Sequence, residues 1–142
     1  MSRLVVGLVD GRPIVPCQHE VMRAKPTAWI RCLVGGFGSG KTTGGILALL
    51  DHCCANPWTP AYGQSNPRTL VIGTTWSVLR DSAFAVWQET VPPELIREHR
   101  KADRATMLAN GHQILWRTTK GKIEGGTVSG LYLDEAHQRH LR

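Results

Sequence analysis

The sequence has no long hydrophobic run and little that would direct it to a membrane. Its apolar stretches, with residues 46–50 among the longest, are far too short to cross a bilayer. Its start, Met1–Leu4, lacks the long apolar core of a signal peptide. We therefore expect a soluble, intracellular protein. Hydrophobic residues still make up 42% of the 142 residues, which is enough for one packed core, so a single globular unit is expected.

Cysteine pairs at metal-binding or redox spacing are also missing. The four cysteines show no CxxC spacing, and the adjacent pair Cys53 and Cys54 is poorly placed for a disulfide, so a reduced compartment is expected. With His52 these two thiols could be metal ligands, but no second pair stands at ligand spacing. We favour core-packing cysteines on a helix face.

Acidic residues are outnumbered by basic ones. There are 17 Lys and Arg against 11 Asp and Glu, which gives a net charge of +6. Such an excess favours polyanionic partners, nucleic acid among them. The basic clusters 97–104 and 117–122 are candidates for contact with DNA phosphates, although runs of this kind are usually solvated faces.

Strand and helix patterns alternate along the chain. Period-2 and apolar runs predict strands, and apolar residues at helical spacing predict helices. The predicted elements are a hairpin over 4–15, a strand at 29–34, a helix after the glycine loop, a strand at 69–73, a helix over 77–89, a short helix over 94–101, a hairpin over 105–117 and a buried strand at 131–133. This order predicts an α/β fold, with a mainly parallel sheet flanked by helices and the second hairpin as an insertion.

The most specific motif is a phosphate-binding loop at Gly35–Thr42, which matches G-x-x-x-x-G-K-[ST]. Its glycines let successive backbone N–H groups turn toward phosphate oxygens. The motif predicts that Lys41 reaches the β and γ phosphates and that the hydroxyl of Thr42 holds Mg²⁺. The residues expected to contact nucleotide are Gly35, Gly36, Gly38, Ser39, Gly40, Lys41, Thr42 and Thr43.

A second acidic element is needed to hold the metal. Asp134 follows the apolar run 131–133 and would bind Mg²⁺ through water. Glu135 faces another way and is the candidate base for the attacking water, so Lys41, Glu135 and Mg²⁺ together predict ATP hydrolysis. The alternative is that the two carboxylates cap a helix N-terminus.

In this order the motifs resemble the ATPase domain of phage terminase large subunits. The matching segments are Pro16–Gln18, Gly35–Thr43, Thr74–Ser82 and Gly130–Ala136. The resemblance implies a P-loop NTPase of the ASCE type, with Gln18 contacting adenine. It also implies packaging of double-stranded DNA into a viral head in the cytoplasm of an infected bacterium. Portal protein, the small terminase subunit and a homo-oligomeric ring would be its partners.

One position departs from that family, in which many loops carry arginine where Phe37 stands. Phenylalanine cannot stabilise charge, so an arginine finger must come from elsewhere. Arg80 is the candidate within this chain, and a neighbouring subunit is the other source. Arg80 has an equally good interpretation as a solvated helix residue.

Two other functions stay open. The run Asp134–His137 spells the DEAH box of superfamily 2 helicases, which predicts coupling of ATP to strand separation. No convincing nucleic-acid motif of those helicases follows the first helix. The other alternative is a non-catalytic truncated remnant.

We divide the chain into an N-terminal segment, 1–28, with the hairpin and the adenine side, and a partial ATPase core, 29–142. The nuclease domain of terminases is not in these residues. The strand that follows the Asp134 strand in this ATPase class is also missing, so an incomplete sheet is expected. Each buried backbone group without a hydrogen-bond partner costs about 1 to 3 kcal/mol. We therefore expect either a marginally stable chain or direct pairing of the strand at 29–34 with the strand at 131–133.

Overall fold

The computed structural model describes residues 8–9, 12–13, 39–63, 65–121 and 127–134. In chain order the elements are β1 (Leu8–Val9), β2 (Arg12–Pro13), α1 (Lys41–Ala55), β3 (Arg68–Gly73), α2 (Trp76–Leu79), a π-helical turn (Arg80–Phe84), α3 (Ala85–Thr90), β4 (Ile96–Arg100), β5 (Ala105–Leu108), β6 (Gln113–Thr118) and β7 (Gly130–Leu133). Short 3₁₀ turns occupy Pro60–Tyr62 and Pro93–Leu95. The predicted strand at 29–34 lies outside the described residues.

The main sheet has five strands in the order β4-β5-β6-β3-β7. β3 is parallel to both β6 and β7, whereas β4 and β5 run antiparallel to their neighbours. The α/β class is therefore confirmed, but the sheet is mixed, where we expected a mainly parallel one. A separate small ribbon pairs β1 with β2 antiparallel, as the predicted first hairpin requires.

The second hairpin, β5–β6, is confirmed, and it is part of the main sheet. β6 pairs with β3 from Arg68↔Gln113 to Gly73↔Thr118. Its turn is built on Gly111, whose φ of 84° favours glycine and whose added Cβ would lie 2.6 Å from Cβ of Trp58. The amide of Asn110 donates to the Cys53 carbonyl at 2.9 Å, so the turn also satisfies an acceptor near the end of α1.

The predicted short helix over 94–101 is wrong, because residues 96–100 form strand β4. A 3₁₀ turn at Pro93–Leu95, with proline at its start, directly precedes the strand. β4 then pairs antiparallel with β5, and the ring of His99 lies 2.9 Å from the Thr106 hydroxyl across that pair. Tertiary pairing has overridden a weak helical pattern.

The helix predicted over 77–89 is confirmed as a helical segment over 76–90, although its middle is a π-helical turn. The segment begins at Thr75, whose hydroxyl accepts a hydrogen bond from the Val78 N–H at 3.3 Å. Leu79, Ala83 and Trp87 are buried on its inner face. A π-helical turn is rare and has no sequence signal of its own.

The core lies between one face of the sheet and the helices. Val71 and Ile114 are fully buried there, and the Trp116 ring meets Phe84 edge-on at 4.9 Å and Trp87 at 5.8 Å. Such edge-to-face pairs add to the stabilisation by burial. Among the helices that the structure describes, none has the length and apolar character to cross a membrane.

β7 is a strand, as predicted, but it is not fully buried. Tyr132 points toward α1, while Leu131 and Leu133 point the other way and are 57% and 39% exposed. The reason is position, since β7 has a hydrogen-bonded neighbour on one side only within the described sheet. An apolar run of three residues does not distinguish an edge strand from a central one.

Candidate nucleotide-binding site

Helix α1 runs antiparallel to β7 and packs against it. Near the start of the helix, Gly45 touches the Tyr132 ring, and an added Cβ would lie 2.5 Å from Cε2 of that ring. Further along, His52 lies over Gly130, where an added Cβ would be 2.7 Å from Nε2. The N-terminus of α1 and the carboxyl end of β7 therefore meet at the same edge of the sheet, where α/β proteins bind their ligands.

The N-terminus of α1 is suited to an anion. Its N-cap is Gly40, which has φ of 77° and makes no side-chain capping hydrogen bond. The first turn has no acidic residue, and the Gly44 N–H closes it on the Gly40 carbonyl at 2.9 Å. A helix N-terminus without a negative side chain attracts phosphate through its dipole and its N–H groups.

Five of the predicted nucleotide contacts, Ser39 to Thr43, are placed together at this helix start. The Lys41 ammonium lies 3.4 Å from the Ser39 hydroxyl, and both side chains are half-buried. Thr42 and Thr43 are half-buried in the first turn. Gly35, Gly36 and Gly38 lie outside the described residues, as do Gln18, Phe37, Glu135 and His137.

Asp134 is held from two sides at the end of β7. Its backbone N–H donates to the Ile72 carbonyl at 3.0 Å, which continues the pairing of β7 with β3 by one residue. One carboxylate oxygen accepts a hydrogen bond from the Ser82 hydroxyl at 2.6 Å, and the other accepts one from the Tyr132 hydroxyl at 3.2 Å. The side chain is nearly buried, with 7% of its residue surface exposed. These donors fix the orientation of the carboxylate.

Tyr132 acts here as a donor. Burial raises the pKa of its phenol, and the charge of Asp134 and the hydrogen bond between them raise this pKa further. The phenol therefore keeps its proton at neutral pH and can donate it to the carboxylate. Because the same ring rests on Gly45, it bridges the second turn of α1 and Asp134.

The oxygen atoms available at this edge suit Mg²⁺ as ligands. Mg²⁺ prefers oxygen ligands, and it binds to proteins through one or two side chains while keeping water and substrate phosphates. The Thr42 hydroxyl and the Asp134 carboxylate are oxygen ligands of that kind. Among the described residues no group of three or more His, Cys, Asp or Glu could hold a metal ion. A site of this sort would depend on the nucleotide as well as on the protein.

The thiols next to His52 are placed as core residues. Cys53 is fully buried 4.0 Å from the Thr69 hydroxyl, and burial raises the pKa of its thiol to about 12. A buried thiol that keeps its proton packs as a small apolar side chain. Cys54 is half-buried, and burial raises its pKa as well.

Arg80 lies on the outer side of the π-helical turn. Its guanidinium donates to both carboxylate oxygens of Asp81, at 2.7 and 3.2 Å, and both side chains are more than half exposed. The hydrogen bond that Arg80 donates to Asp81 raises the pKa of Arg80. Ser82, two residues further on, is the residue of this turn that contacts Asp134.

Sequence reasoning did not assign a role to Gly45, Ser82 or Tyr132. A glycine inside a helix costs about 1 kcal/mol relative to alanine, so Gly45 was a signal of close approach. Ser82 lay at the end of the segment 74–82 that carried part of the family resemblance. Tyr132 lies between Leu131 and Leu133 in β7. Because side chains alternate along a strand, the sequence already indicated that Tyr132 faces the side opposite to these leucines.

No protein-family model, curated protein or solved structure matches this chain. The functional interpretation therefore rests on the residues and on their arrangement. That arrangement brings Ser39 to Thr43 and Asp134 to one edge of the sheet.

Proposed function

We propose that this chain is the ATP-binding portion of a viral DNA-packaging motor of the terminase large-subunit type. In the complete protein, ATP hydrolysis would drive translocation of double-stranded DNA. One observation carries the proposal. The Tyr132 ring lies against Gly45 in the second turn of α1 and donates a hydrogen bond to Asp134. The Lys-Thr end of the phosphate motif and the acidic end of β7 are thus neighbours.

The residues at the helix start have distinct roles in this proposal. The backbone N–H groups after Gly40 and the dipole of α1 hold phosphate oxygens. Lys41 neutralises charge on the β and γ phosphates, while Thr42 and Asp134 hold Mg²⁺, directly and through water. When bound, Mg²⁺ neutralises charge that develops on the phosphates during transfer. Gln18 would contact the adenine.

Hydrolysis also needs a base and a positive charge at the γ-phosphate. Glu135 follows Asp134 directly and would orient and deprotonate the attacking water. Arg80 is the candidate within this chain for an arginine finger, with a neighbouring subunit as the alternative source. Because Phe37 cannot supply that charge, an arginine finger would come from one of these two sources.

The proposed partners follow from the excess of basic residues and from the family resemblance. A net charge of +6 favours contact with DNA phosphates. The described basic residues are partly engaged already, because Arg100 pairs with Glu98 at 2.9 Å and Arg104 lies 4.3 Å from the centre of the Trp76 ring. A ring of subunits on a portal protein, with a small terminase subunit, completes the proposed motor.

The deciding experiment is equilibrium binding of ATP to the chain and to Lys41→Ala. We expect the substitution to weaken binding at least about tenfold, because it removes a cation from the phosphates. Lys101→Ala is the matched control, since Lys101 is an exposed lysine in the turn between β4 and β5. Equal affinity of the chain and Lys41→Ala would contradict the assignment of this site.

Turnover is a separate measurement. Glu135→Gln should abolish ATP hydrolysis and keep ATP binding, because the amide fills the same space but cannot accept the proton from water. Hydrolysis that survives Glu135→Gln would mean that another group is the base.

A further inference from the structure

The Ser82 hydroxyl lies between two acceptors and has only one proton to donate. It is 2.6 Å from a carboxylate oxygen of Asp134 and 2.7 Å from the Val78 carbonyl. Both distances suit an O–H···O hydrogen bond. A serine hydroxyl can donate to one of these groups at a time, so the two hydrogen bonds compete.

The carboxylate is the stronger acceptor of the two. Hydrogen bonds to an ionised oxygen are shorter and roughly twice as strong as those between neutral groups. While the Asp134 side chain is engaged by protein donors alone, the Ser82 proton therefore points to the carboxylate. A second strong donor at the same oxygen withdraws electron density from it and weakens this bond. The proton then has the Val78 carbonyl within reach without any movement of the backbone.

The location of Ser82 gives this choice a structural consequence. Val78 belongs to α2, and Ser82 is the middle residue of the π-helical turn that follows. A serine that donates to the carbonyl four residues before it changes the local bend of a helix. π-helical turns occur mostly as single turns inside α-helices and are frequent at functional sites. The direction of the Ser82 hydroxyl proton therefore decides whether the Val78 carbonyl receives a hydrogen bond at the π-helical turn.

We propose that Ser82 is a positioning residue for Asp134 and that it couples the occupancy of this carboxylate to the π-helical turn. The inference rests on the proposed function, because the second donor is the water that a Mg²⁺·nucleotide complex would present to Asp134. Binding at the phosphate site then shifts the Ser82 proton toward Val78 and changes the stability of the turn. The helical segment 76–90 is therefore the element whose stability responds to binding.

Tyr132 provides an internal comparison. It donates to the other oxygen of Asp134 at 3.2 Å, but it belongs to β7 and its hydroxyl is not part of the π-helical turn. Tyr132→Phe removes a hydrogen bond from the carboxylate and leaves the link between Asp134 and the helix in place. Comparing Ser82→Ala with Tyr132→Phe therefore separates the effect of orienting Asp134 from the effect of linking Asp134 to the helical segment.

The experiment measures amide hydrogen exchange of peptides from 76–90 by mass spectrometry. A non-hydrolysable ATP analogue is added with Mg²⁺ or with a chelator. We expect a Mg²⁺-dependent change in exchange in the unmodified chain, loss of that change in Ser82→Ala, its recovery in Ser82→Thr and its persistence in Tyr132→Phe.

Each result decides between the hypotheses. If the chain binds the analogue and Ser82→Ala keeps the Mg²⁺-dependent exchange, the coupling is wrong and the proposed function stands. The coupling is equally wrong if the chain binds the analogue without any Mg²⁺-dependent change in 76–90. If the chain binds no analogue, the proposed function fails, and the coupling fails with it. Ser82→Cys, whose thiol is a weak donor, replaces Ser82→Ala should the alanine variant not fold.

Discussion

Gly45 and Tyr132 are in a contact that only glycine permits. A Cβ on Gly45 would lie 2.5 Å from Cε2 of the Tyr132 ring and 2.6 Å from its hydroxyl oxygen. The hydroxyl in turn donates to Asp134. Helix α1 can therefore approach β7 closely enough for one aromatic ring to connect the phosphate motif with the acidic end of the strand.

Gly45→Ala should reduce the free energy of unfolding although alanine is the better helix former. The gain in helix propensity is about 1 kcal/mol, whereas forcing a methyl group against a packed ring costs roughly 1 to 3 kcal/mol. In the Tyr132→Ala background the ring is gone, so the same substitution should increase stability by up to about 1 kcal/mol. Urea denaturation of the four variants measures this reversal of sign. A stabilising effect of Gly45→Ala in both backgrounds would contradict the packing described here.

Thr106 connects three strands through one buried hydroxyl. It accepts a hydrogen bond from the Trp116 indole N–H at 3.0 Å and lies 2.9 Å from Nδ1 of His99. Thr106→Val keeps the volume but leaves the indole N–H without its partner, so we expect a loss of about 1 to 3 kcal/mol in unfolding free energy. Chemical denaturation of the purified variants provides the measurement.

Thr106→Ser is the matched control, because it keeps the hydroxyl and removes a methyl group. Deletion of a buried methyl group costs about 1 kcal/mol. If burial of apolar surface alone decided stability, valine would be better than serine at this position. We expect the reverse order. A valine variant as stable as the unmodified chain would show that the Trp116 indole N–H has another partner.

Local patterns in the sequence predicted much of this fold. α1, β3, β5, β6 and β7 carry apolar periodicity or a turn signal within a few residues, and all five form where expected. Lys41 and Asp134 were chosen because a motif and a strand end require particular chemistry. Their placement at one edge follows from an antiparallel packing of α1 on β7, which the α/β class already implied.

The remaining features depend on contacts between residues that are distant in the sequence. Ser82 and Asp134 are 52 positions apart, and no local pattern relates them. β4 was mistaken for a helix because its pairing partner decides its conformation. The exposure of Leu131 depends on which strands flank β7, and three residues contain no such information.

Stability should decrease in mild acid because of His112. This side chain is fully buried, with Nδ1 donating to the Asn56 carbonyl at 2.6 Å and Nε2 lying 2.8 Å from the Thr69 hydroxyl. Burial lowers the pKa of His112, and His52 lowers it too, although the Asn56 carbonyl acts in the opposite direction. The unfolded chain therefore binds this proton more readily, with an ordinary pKa of about 6.5.

The contribution of His112 is complete above pH about 6.5 and is lost as the pH falls toward its lower folded pKa. One proton gives a slope of at most about 1.4 kcal/mol per pH unit. His112→Asn should be less stable at pH 7 and should show a flatter dependence below about pH 6.5. His99→Asn is the comparison, since burial also lowers the pKa of His99 but that side chain is only half-buried. An unchanged slope in His112→Asn would contradict this assignment.

Asp134→Asn should remove the Mg²⁺ dependence of ATP binding and leave binding in the presence of a chelator. The amide is a weak metal ligand, and its NH₂ group faces either the Ser82 or the Tyr132 hydroxyl, both of which donate to the carboxylate. We also expect a loss of about 1 kcal/mol in stability, because hydrogen bonds to an ionised oxygen are replaced by weaker ones between neutral groups. Calorimetric titration with and without Mg²⁺ separates the two effects. Asp103→Asn, at an exposed aspartate, should change neither, and equal Mg²⁺ dependence in both variants would exclude Asp134 from the site.

Arg80→Ala should leave stability unchanged, because the ion pair of Arg80 with Asp81 is exposed and such pairs contribute little. If Arg80 supplies the charge that Phe37 cannot, the variant should bind ATP normally and hydrolyse it more slowly, since an arginine finger acts in the transition state. Single-turnover hydrolysis and equilibrium binding of the same preparations measure the two quantities. Arg97→Ala, at an exposed arginine of β4, controls for a general loss of positive charge. Equal turnover of the Arg80 and Arg97 variants would exclude Arg80 as the finger. A rise of specific turnover with protein concentration would then indicate a finger from a neighbouring subunit.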